Sequence, residues 1–358
     1  MPLALDHYRL LGRSGLRVSP LCLGTMTFGV PPETWGTPDG DAARQLDLFL
    51  DRGGNFIDTA NFYGNMGGSE RLLGRLLAGR RHRVVLATKY SLTMDPTDPN
   101  AAGNHRKNLV RSVEKSLERL GTDYIDLLYL HVWDARTPVE EILRGFDDLV
   151  RAGKILYAGI SDTPVWQVSR MQAIAELRGW TPFVALQIPY SLIERTVERE
   201  FLPMAEELGL GVLPWSPLGG GVLTGKYRPE DLERPPEVKE GMPAGRRSLN
   251  LAYGRLTPKA LEIARVVAEV ARELGRSPAQ VALAWTLRHP AVVAPIIGAR
   301  TLAQLEDNLG ALEVELAPEH LARLDEVSRV DVCFPQYMFE GETARAVFGG
   351  VTVERRRR

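Results

Sequence analysis

The chain has 358 residues, enough for one large α/β barrel or two ordinary domains. Charged residues make up 25% and hydrophobic ones 44%, near the average for a soluble globular protein. A formal net charge of −1 gives no electrostatic case for nucleic acid or an anionic membrane as the main partner, and no apolar run is long enough to span a bilayer.

From the N-terminus, Met1 to His7 lack the basic and apolar regions of a signal peptide, so a cytoplasmic location is expected. Short apolar strands then alternate with amphipathic helices. A strand at 21–23 precedes a helix at 41–52, a strand at 55–58 precedes a helix at 69–77, and a strand at 84–88 precedes a helix at 108–120. The alternation continues with strand 125–130, helix 142–150, strand 155–160, helix 164–177, strand 184–188 and helix 197–208. Strand 211–215, helix 258–274, strand 292–297 and helix 301–309 complete it. The strands are apolar on both faces, as when helices cover a parallel sheet. Leu109, Val113, Leu117 and Leu120 sit at helical spacing. Thr137, Pro138 and Glu140 read as N-cap, first-turn proline and early acid, and Gly153-Lys154 as a C-cap.

Eight such pairs favour a closed (β/α)8 TIM barrel, read as one domain over residues 1–358 with a tail at 331–358. The competing dinucleotide-binding sheet wants G-x-G-x-x-G after its first strand, and the turn Gly24-Thr25-Met26-Thr27-Phe28-Gly29 does not match. Residues 227–256, rich in Pro, Gly and charge, follow the seventh strand and are expected to form a lid over the active face. The tail carries Phe334, Tyr337, Met338, Phe339 and Phe348 and is expected to pack, with the barrel mouth as one landing place. Arg355 to Arg358 read as a solvated end, with electrostatic docking as the other reading.

Asp58, Tyr63, Lys89 and His131 each stand where a strand runs out into a loop. Taken singly, Asp58 reads first as a turn or cap residue and Tyr63 as packing, whereas His131 reads equally as a satisfied core histidine. Lys89 ends an apolar run and needs a partner. Together they form a proton-delivery set at the carboxyl edge, where barrel enzymes work. A phenol has an ordinary pKa of about 10, and a nearby ammonium is expected to lower it. Asp58 would hold Lys89, His131 would bond the substrate oxygen, and Tyr63 would be the general acid. Cys22 and Cys333, far apart and without a C-x-x-C pair, argue against a structural disulfide or thiolate zinc site. None of the six histidines forms H-x-H or H-E-x-x-H, which ranks a metal-dependent hydrolase low. Residues 220–226 resemble a P-loop, but Tyr227 stands where Ser or Thr is required, so nucleotide hydrolysis is rejected.

The segments Asp58-Thr59-Ala60-Asn61-Phe62-Tyr63-Gly64, Ala87-Thr88-Lys89 and Leu130-His131 resemble the blocks of the aldo-keto reductases. Gly159-Ile160-Ser161-Asp162, Gln187, Trp215-Ser216-Pro217-Leu218 and Ile296-Ile297-Gly298-Ala299-Arg300 extend the likeness from about Tyr8 to Val330. The resemblance implies a (β/α)8 barrel, a nicotinamide cofactor held without a Rossmann fold, and reversible reduction of aldehydes or ketones. It implies Tyr63 as proton donor, Lys89 and Asp58 tuning it, and His131 orienting the carbonyl. Ser161, Asp162 and Gln187 would hold the carboxamide, Asp162 departing from the asparagine usual there. Trp215 would stack on the nicotinamide, although alone it reads equally as a core anchor. Cofactor contacts are also expected from Gly24, Thr25, Met26, Asp58, Ser216, Pro217, Leu218, Gly219, Gly221, Leu223 and Lys226. Gly298, Ala299, Arg300, Gln304, Asp307 and Asn308 complete the set, with Arg300 on a 2′-phosphate favouring NADPH. Met26, Phe28, Phe62, Tyr90 and Trp133 are the expected walls of an aldehyde or ketone pocket. A channel-associated β-subunit type of regulatory role is the alternative, and the sequence leaves an oligomer open.

Overall fold

The computed structural model describes residues 3–233, 246–339 and 341–351. A short antiparallel hairpin, β1 (Arg9–Leu10) and β2 (Arg17–Val18), opens the chain. Eight parallel strands follow: β3 (Cys22–Gly24), β4 (Phe56–Asp58), β5 (Val85–Tyr90), β6 (Ile125–Leu130), β7 (Ile155–Ser161), β8 (Phe183–Pro189), β9 (Gly211–Trp215) and β10 (Ile296–Ile297). They are hydrogen-bonded in the order β10-β3-β4-β5-β6-β7-β8-β9. A parallel bridge between Val212 and Val292 brings the two edges together, completing a (β/α)8 barrel. The last strand is shorter than residues 292–297, because Pro295 has no N–H for the ladder.

The connecting helices are α1 (Asp39–Asp51), α2 (Tyr63–Leu76), α3 (Arg106–Leu120), α4 (Val139–Arg151), α5 (Val165–Arg178) and α6 (Phe201–Leu208). Next come α7 (Arg246–Ala252), α8 (Pro258–Leu274), α9 (Pro278–Leu287), α10 (Leu302–Leu309), α11 (Pro318–Val327) and α12 (Gly341–Val347). Thr137 is not the cap of α4: Pro138 holds that position, and the Thr137 hydroxyl donates to Asp134 instead. Helix α9 has no polar stripe because it is buried nearly all round, so amphipathic periodicity misses it. The Ser277–Gln280 capping box marks its start.

Side chains alternate along each strand, and this parity positions the site. Phe56, Val85, Ala87, Leu127, Tyr129, Ala185 and Leu213 belong to an inner core, whereas Ile57, Leu86, Leu128, Leu130 and Leu186 pack in the larger strand–helix layer. Continuing the inner series by two residues reaches Asp58, Lys89, His131, Gln187 and Trp215. The sequence therefore aims five chemically distinct groups at one end of the barrel.

The opposite end is plugged by the hairpin. Leu11 and Val18 join the inner core, and Arg9 donates to the carbonyls of Val292 and Val293 at 3.1 Å. Between them Gly12 has φ +55°, and a Cβ there would lie 2.3 Å from the Val184 carbonyl oxygen. Gly12→Ala is expected to lower stability by on the order of 2 kcal/mol or more, from a left-handed backbone plus a backbone clash. Chemical denaturation reads this directly, and an unchanged midpoint would refute the close-packed plug.

Candidate active site

Lys89 is fully buried, a position that costs free energy unless its charge is met. Its ammonium donates to Asp58 Oδ2 at 2.6 Å and to the Thr59 carbonyl at 2.7 Å. The other Asp58 oxygen accepts from Gln187 Nε2 at 2.8 Å, which fixes the carboxylate on both sides. Lys89 Nζ lies 4.9 Å from the Tyr63 ring centroid. The His131 ring meets Tyr63 edge-on, with centroids 6.0 Å apart. The structure thus gathers all four residues, Tyr63 and His131 each keeping a part-exposed edge.

Around this cluster, Ser161 is buried and the Asp162 carboxylate accepts from Trp215 Nε1 at 3.2 Å. Asp162 and Ser216 both have left-handed backbones, φ +34° and +51°, as the chain turns sharply off two strand ends. The Thr25 hydroxyl donates to the Asp58 carbonyl, tying the end of β3 to β4. After Ser216-Pro217-Leu218, Gly219, Gly220 and Gly221 have φ +57°, +65° and +88°, a path that needs glycine. A Cβ on Gly221 would sit 3.0 Å from Lys226 Nζ, so the bare backbone leaves the ammonium its place. Leu223 points into the core.

Arg246 lies over Trp35 at 6.0 Å, and Lys226 over Tyr227 at 5.2 Å. Burial lowers the Lys226 ammonium, and the charges of Arg246 and Arg300 lower it further. Among the described residues none of these three cations has a carboxylate partner at salt-bridge distance. Gly298 is open: a Cβ there would meet nothing closer than 3.9 Å. Ala299 is buried, its carbonyl accepting from Thr37 at 3.3 Å. Gln304 caps the Arg300 N–H at 2.9 Å, and Asn308 is buried. Asp307 is occupied by Ser277 and Gln280, so it serves α9–α10 packing instead of the cation cluster.

The family model named Aldo/keto reductase family matches residues 20–329. The chain belongs to that family. It is 40% identical to the norsolorinic acid reductase stcV of Emericella nidulans, over 95% of this chain and 86% of that one. Identity is 43% to the Bacillus subtilis oxidoreductase YrpG, over 90% and 95%. It is 36% to the aryl-alcohol dehydrogenase [NADP(+)] of Phanerodontia chrysosporium, over 93% and 88%. This aldo/keto reductase is an oxidoreductase enzyme, from a family that uses nicotinamide cofactors and small carbonyl substrates.

The walls of the aldo/keto reductase mouth differ in part from expectation. Met26 and Phe62 are exposed at 38% and 36%, and the half-buried Trp133 meets Trp166 edge-on at 5.7 Å. Tyr90 has the outward parity of its strand. Its ring packs 5.9 Å from Phe146 of α4 and its hydroxyl donates to Asn104, so it is not a pocket wall. Phe28 is also sunk in the strand–helix core and does not open to the mouth. Within the expected lid, α7 is held by Asn250 on the Gly220 carbonyl at 3.1 Å and by Arg247 on the Glu233 carbonyl at 3.0 Å. Residues 234–245, and the arginines at 355–358, lie outside the described residues. The tail does not pack its aromatics: Phe334, Phe339 and Phe348 are exposed, and it is held through polar bonds with Arg199 instead.

Two groups were missed from sequence. Arg246 sits in a charge-rich loop and gives no local sign that it reaches Trp35. Ser69 and Glu70, both fully buried, follow the Tyr63 segment directly and read only as a helix start. Burial of Glu70 is the signal that only the fold reveals.

Electrostatics also correct one expectation. Burial raises the Tyr63 phenol, and Lys89 only partly offsets that, so the net direction is upward. Burial pulls Lys89 down, but Asp58 and Tyr63 outweigh it and hold the ammonium above its ordinary value. Burial, then the Lys89 charge, pushes His131 down to about 3. Near neutral pH the site therefore holds a neutral phenol, a neutral imidazole and a charged ammonium. For His131 the unfolded chain binds the extra proton between its ordinary pKa, about 6.5, and the folded value of about 3. Its contribution to stability is present above the ordinary pKa and is lost as pH falls through that window. His131→Asn is expected to lose less stability than wild type between neutral and mildly acidic pH, and parallel losses in urea titrations would contradict the buried neutral imidazole.

Proposed function

We propose that this enzyme is an NADPH-dependent reductase of aryl aldehydes and ketones, in which Tyr63 delivers the proton. The observation that carries the reading is the Tyr63 ring set 4.9 Å from the buried Lys89 ammonium and edge-on to the His131 imidazole. The carbonyl oxygen accepts hydrogen bonds from the phenol and from His131, which orient it and polarise its carbon. When bound, the nicotinamide supplies the hydride to that carbon. Tyr63 then gives its proton to the alkoxide-like oxygen, and the ammonium 4.9 Å from the ring centroid steadies the phenolate that remains. Asp58, held by Gln187, keeps Lys89 charged and in place.

Several features support the choice of cofactor. Asp162 and Trp215 are joined by a hydrogen bond, next to the buried Ser161 at the end of β7. The glycine run offers backbone N–H groups to a diphosphate. Lys226, Arg246 and Arg300 suit a 2′-phosphate, in keeping with the NADP(+) in the name of one relative. The aryl preference rests on Met26, Phe62, Met66, Trp133 and Trp166, an aromatic and thioether rim suited to a flat ring. It also fits the names of the aryl-alcohol dehydrogenase and norsolorinic acid reductase relatives. Two free cysteines fit a reducing, cytoplasmic setting.

Tyr63→Phe is expected to lower the turnover number for benzaldehyde by roughly a hundredfold or more while NADPH binding stays nearly unchanged. Reduced-cofactor absorbance and fluorescence titration measure the two quantities, and wild-type turnover in the variant would remove Tyr63 from the role. Arg300→Ala is expected to weaken NADPH by about tenfold and NADH by far less. Equal weakening of both would end the 2′-phosphate assignment.

A further inference from the structure

Between Tyr63 and the regular part of α2 the backbone makes an unusual turn. Gly64, Asn65, Met66 and Gly67 have φ of +68°, +54°, +58° and +100°, four left-handed residues in succession. Asn65 and Met66 are not glycine, so the surroundings must hold this turn in place. Those surroundings are the next two side chains. Ser69 and Glu70 are fully buried, and their hydrogen bonds go to Thr25, Thr59, Thr88 and Arg119, not to Tyr63, Lys89 or Asp58.

Ser69 Oγ donates to the Thr25 carbonyl at 2.8 Å and lies 2.9 Å from the hydroxyls of both Thr25 and Thr59. Thr59 follows Asp58, and Thr25 is itself bonded to the Asp58 carbonyl. Glu70 Oε1 accepts from the Thr88 hydroxyl at 2.6 Å, and Oε2 from Arg119 Nε at 2.6 Å. Thr88 precedes Lys89 and points outward while Lys89 points inward. Arg119 of α3 also backs the left-handed turn, since a Cβ on Gly67 would lie 2.5 Å from its Cδ. One helix thus grips the backs of the strands carrying Asp58 and Lys89, with Tyr63 at its head.

We infer that Ser69 and Glu70 are positioning residues for the reaction, with Glu70 setting the separation of Tyr63 from Lys89 through Thr88. The inference rests on the reading of Tyr63 as proton donor. Lys89 is anchored inside the barrel by Asp58, whereas Tyr63 belongs to the helical layer. The Glu70–Thr88 bond joins those two layers one residue from the ammonium. Releasing it lets the phenol drift from the ammonium, which weakens stabilisation of the phenolate without altering the groups that bind cofactor or carbonyl.

The test compares Thr88→Val, which keeps the shape and removes the hydroxyl, with Thr88→Ser, which keeps the hydroxyl. Benzaldehyde and NADPH serve as probes, and turnover is followed across pH. In Thr88→Val, turnover is expected to fall about tenfold, with the KM for benzaldehyde and the Kd for NADPH within about twofold of wild type. The pH limb that disappears in Tyr63→Phe is expected to move to higher pH, because a more distant ammonium lowers the phenol less. Thr88→Ser is expected to restore both. Wild-type turnover and an unmoved limb in folded Thr88→Val would overturn the inference, as would an equal defect in Thr88→Ser. If Thr88→Val does not fold, Ser69→Ala reads the other grip, and an unchanged turnover and pH limb there overturn the inference. Failure of the parent reading is separate, since it shows as a wild type without carbonyl reduction or as a fully active Tyr63→Phe.

Discussion

A lysine with no exposed surface stands on the inner wall of the barrel, and the ion pair that makes this tolerable organises everything around it. Lys89 on β5 is met by Asp58 on β4, its hydrogen-bonded neighbour. Asp58 is met in turn by Gln187 on β8, which lies four strands away in the ring order. That bond crosses the inside of the barrel, so it exists only once the ring is closed. Breaking a buried pair on one side typically costs about 3–5 kcal/mol, because the remaining charge stays behind without a partner. The same contacts that seat the ammonium therefore report whether the barrel has assembled, coupling the fold to the chemistry at one point.

With Lys89 so fixed, the protonation states around it follow from burial. The phenol is raised and the imidazole is lowered, and both arrive neutral at the substrate side. This differs from a simple picture in which the ammonium acidifies the tyrosine in the resting enzyme. Desolvation outweighs the charge at rest, which keeps the proton on Tyr63. On the proposed reading of Tyr63 as proton donor, the ammonium acts once negative charge develops on the phenol oxygen, where low polarity strengthens the attraction. Placement of charge, more than a shifted resting pKa, is what this site supplies.

Much of this was legible in the sequence because strand parity is a rigid rule. Counting by twos from Phe56, Val85, Leu127 and Ala185 places Asp58, Lys89, His131 and Gln187 on one inner wall. The same count puts Tyr90 on the outer wall, so its assignment to the pocket contradicted information already present. Other misses have different causes. Helix α9 is buried nearly all round and lacks the period that reveals surface helices. The shift at Tyr63 depends on how much protein surrounds the ring, which no local pattern encodes. The tail aromatics looked like core by composition, yet the structure holds the tail through backbone carbonyls and leaves the rings exposed.

The far side of the mouth obeys the opposite electrostatic rule. Lys89 has a compensating carboxylate within contact, whereas Lys226, Arg246 and Arg300 converge from three segments and repel one another. Such a cluster does not form by its own attraction, so other bonds must assemble it. Asn250 fastens α7 to the Gly220 carbonyl and the Tyr227 hydroxyl, and Arg247 fastens it to carbonyls of residues 230, 231 and 233. These contacts, with the Arg247–Asp231 ion pair at 3.3 Å, hold α7 so that Arg246 reaches the cluster. Among the described residues no carboxylate pairs with these three cations, and this supports the proposed reading of the cluster as the phosphate end of the cofactor site. On the proposed function, the barrel keeps its internal compensation for the ammonium beside the proton donor and leaves the cation cluster for a ligand to complete.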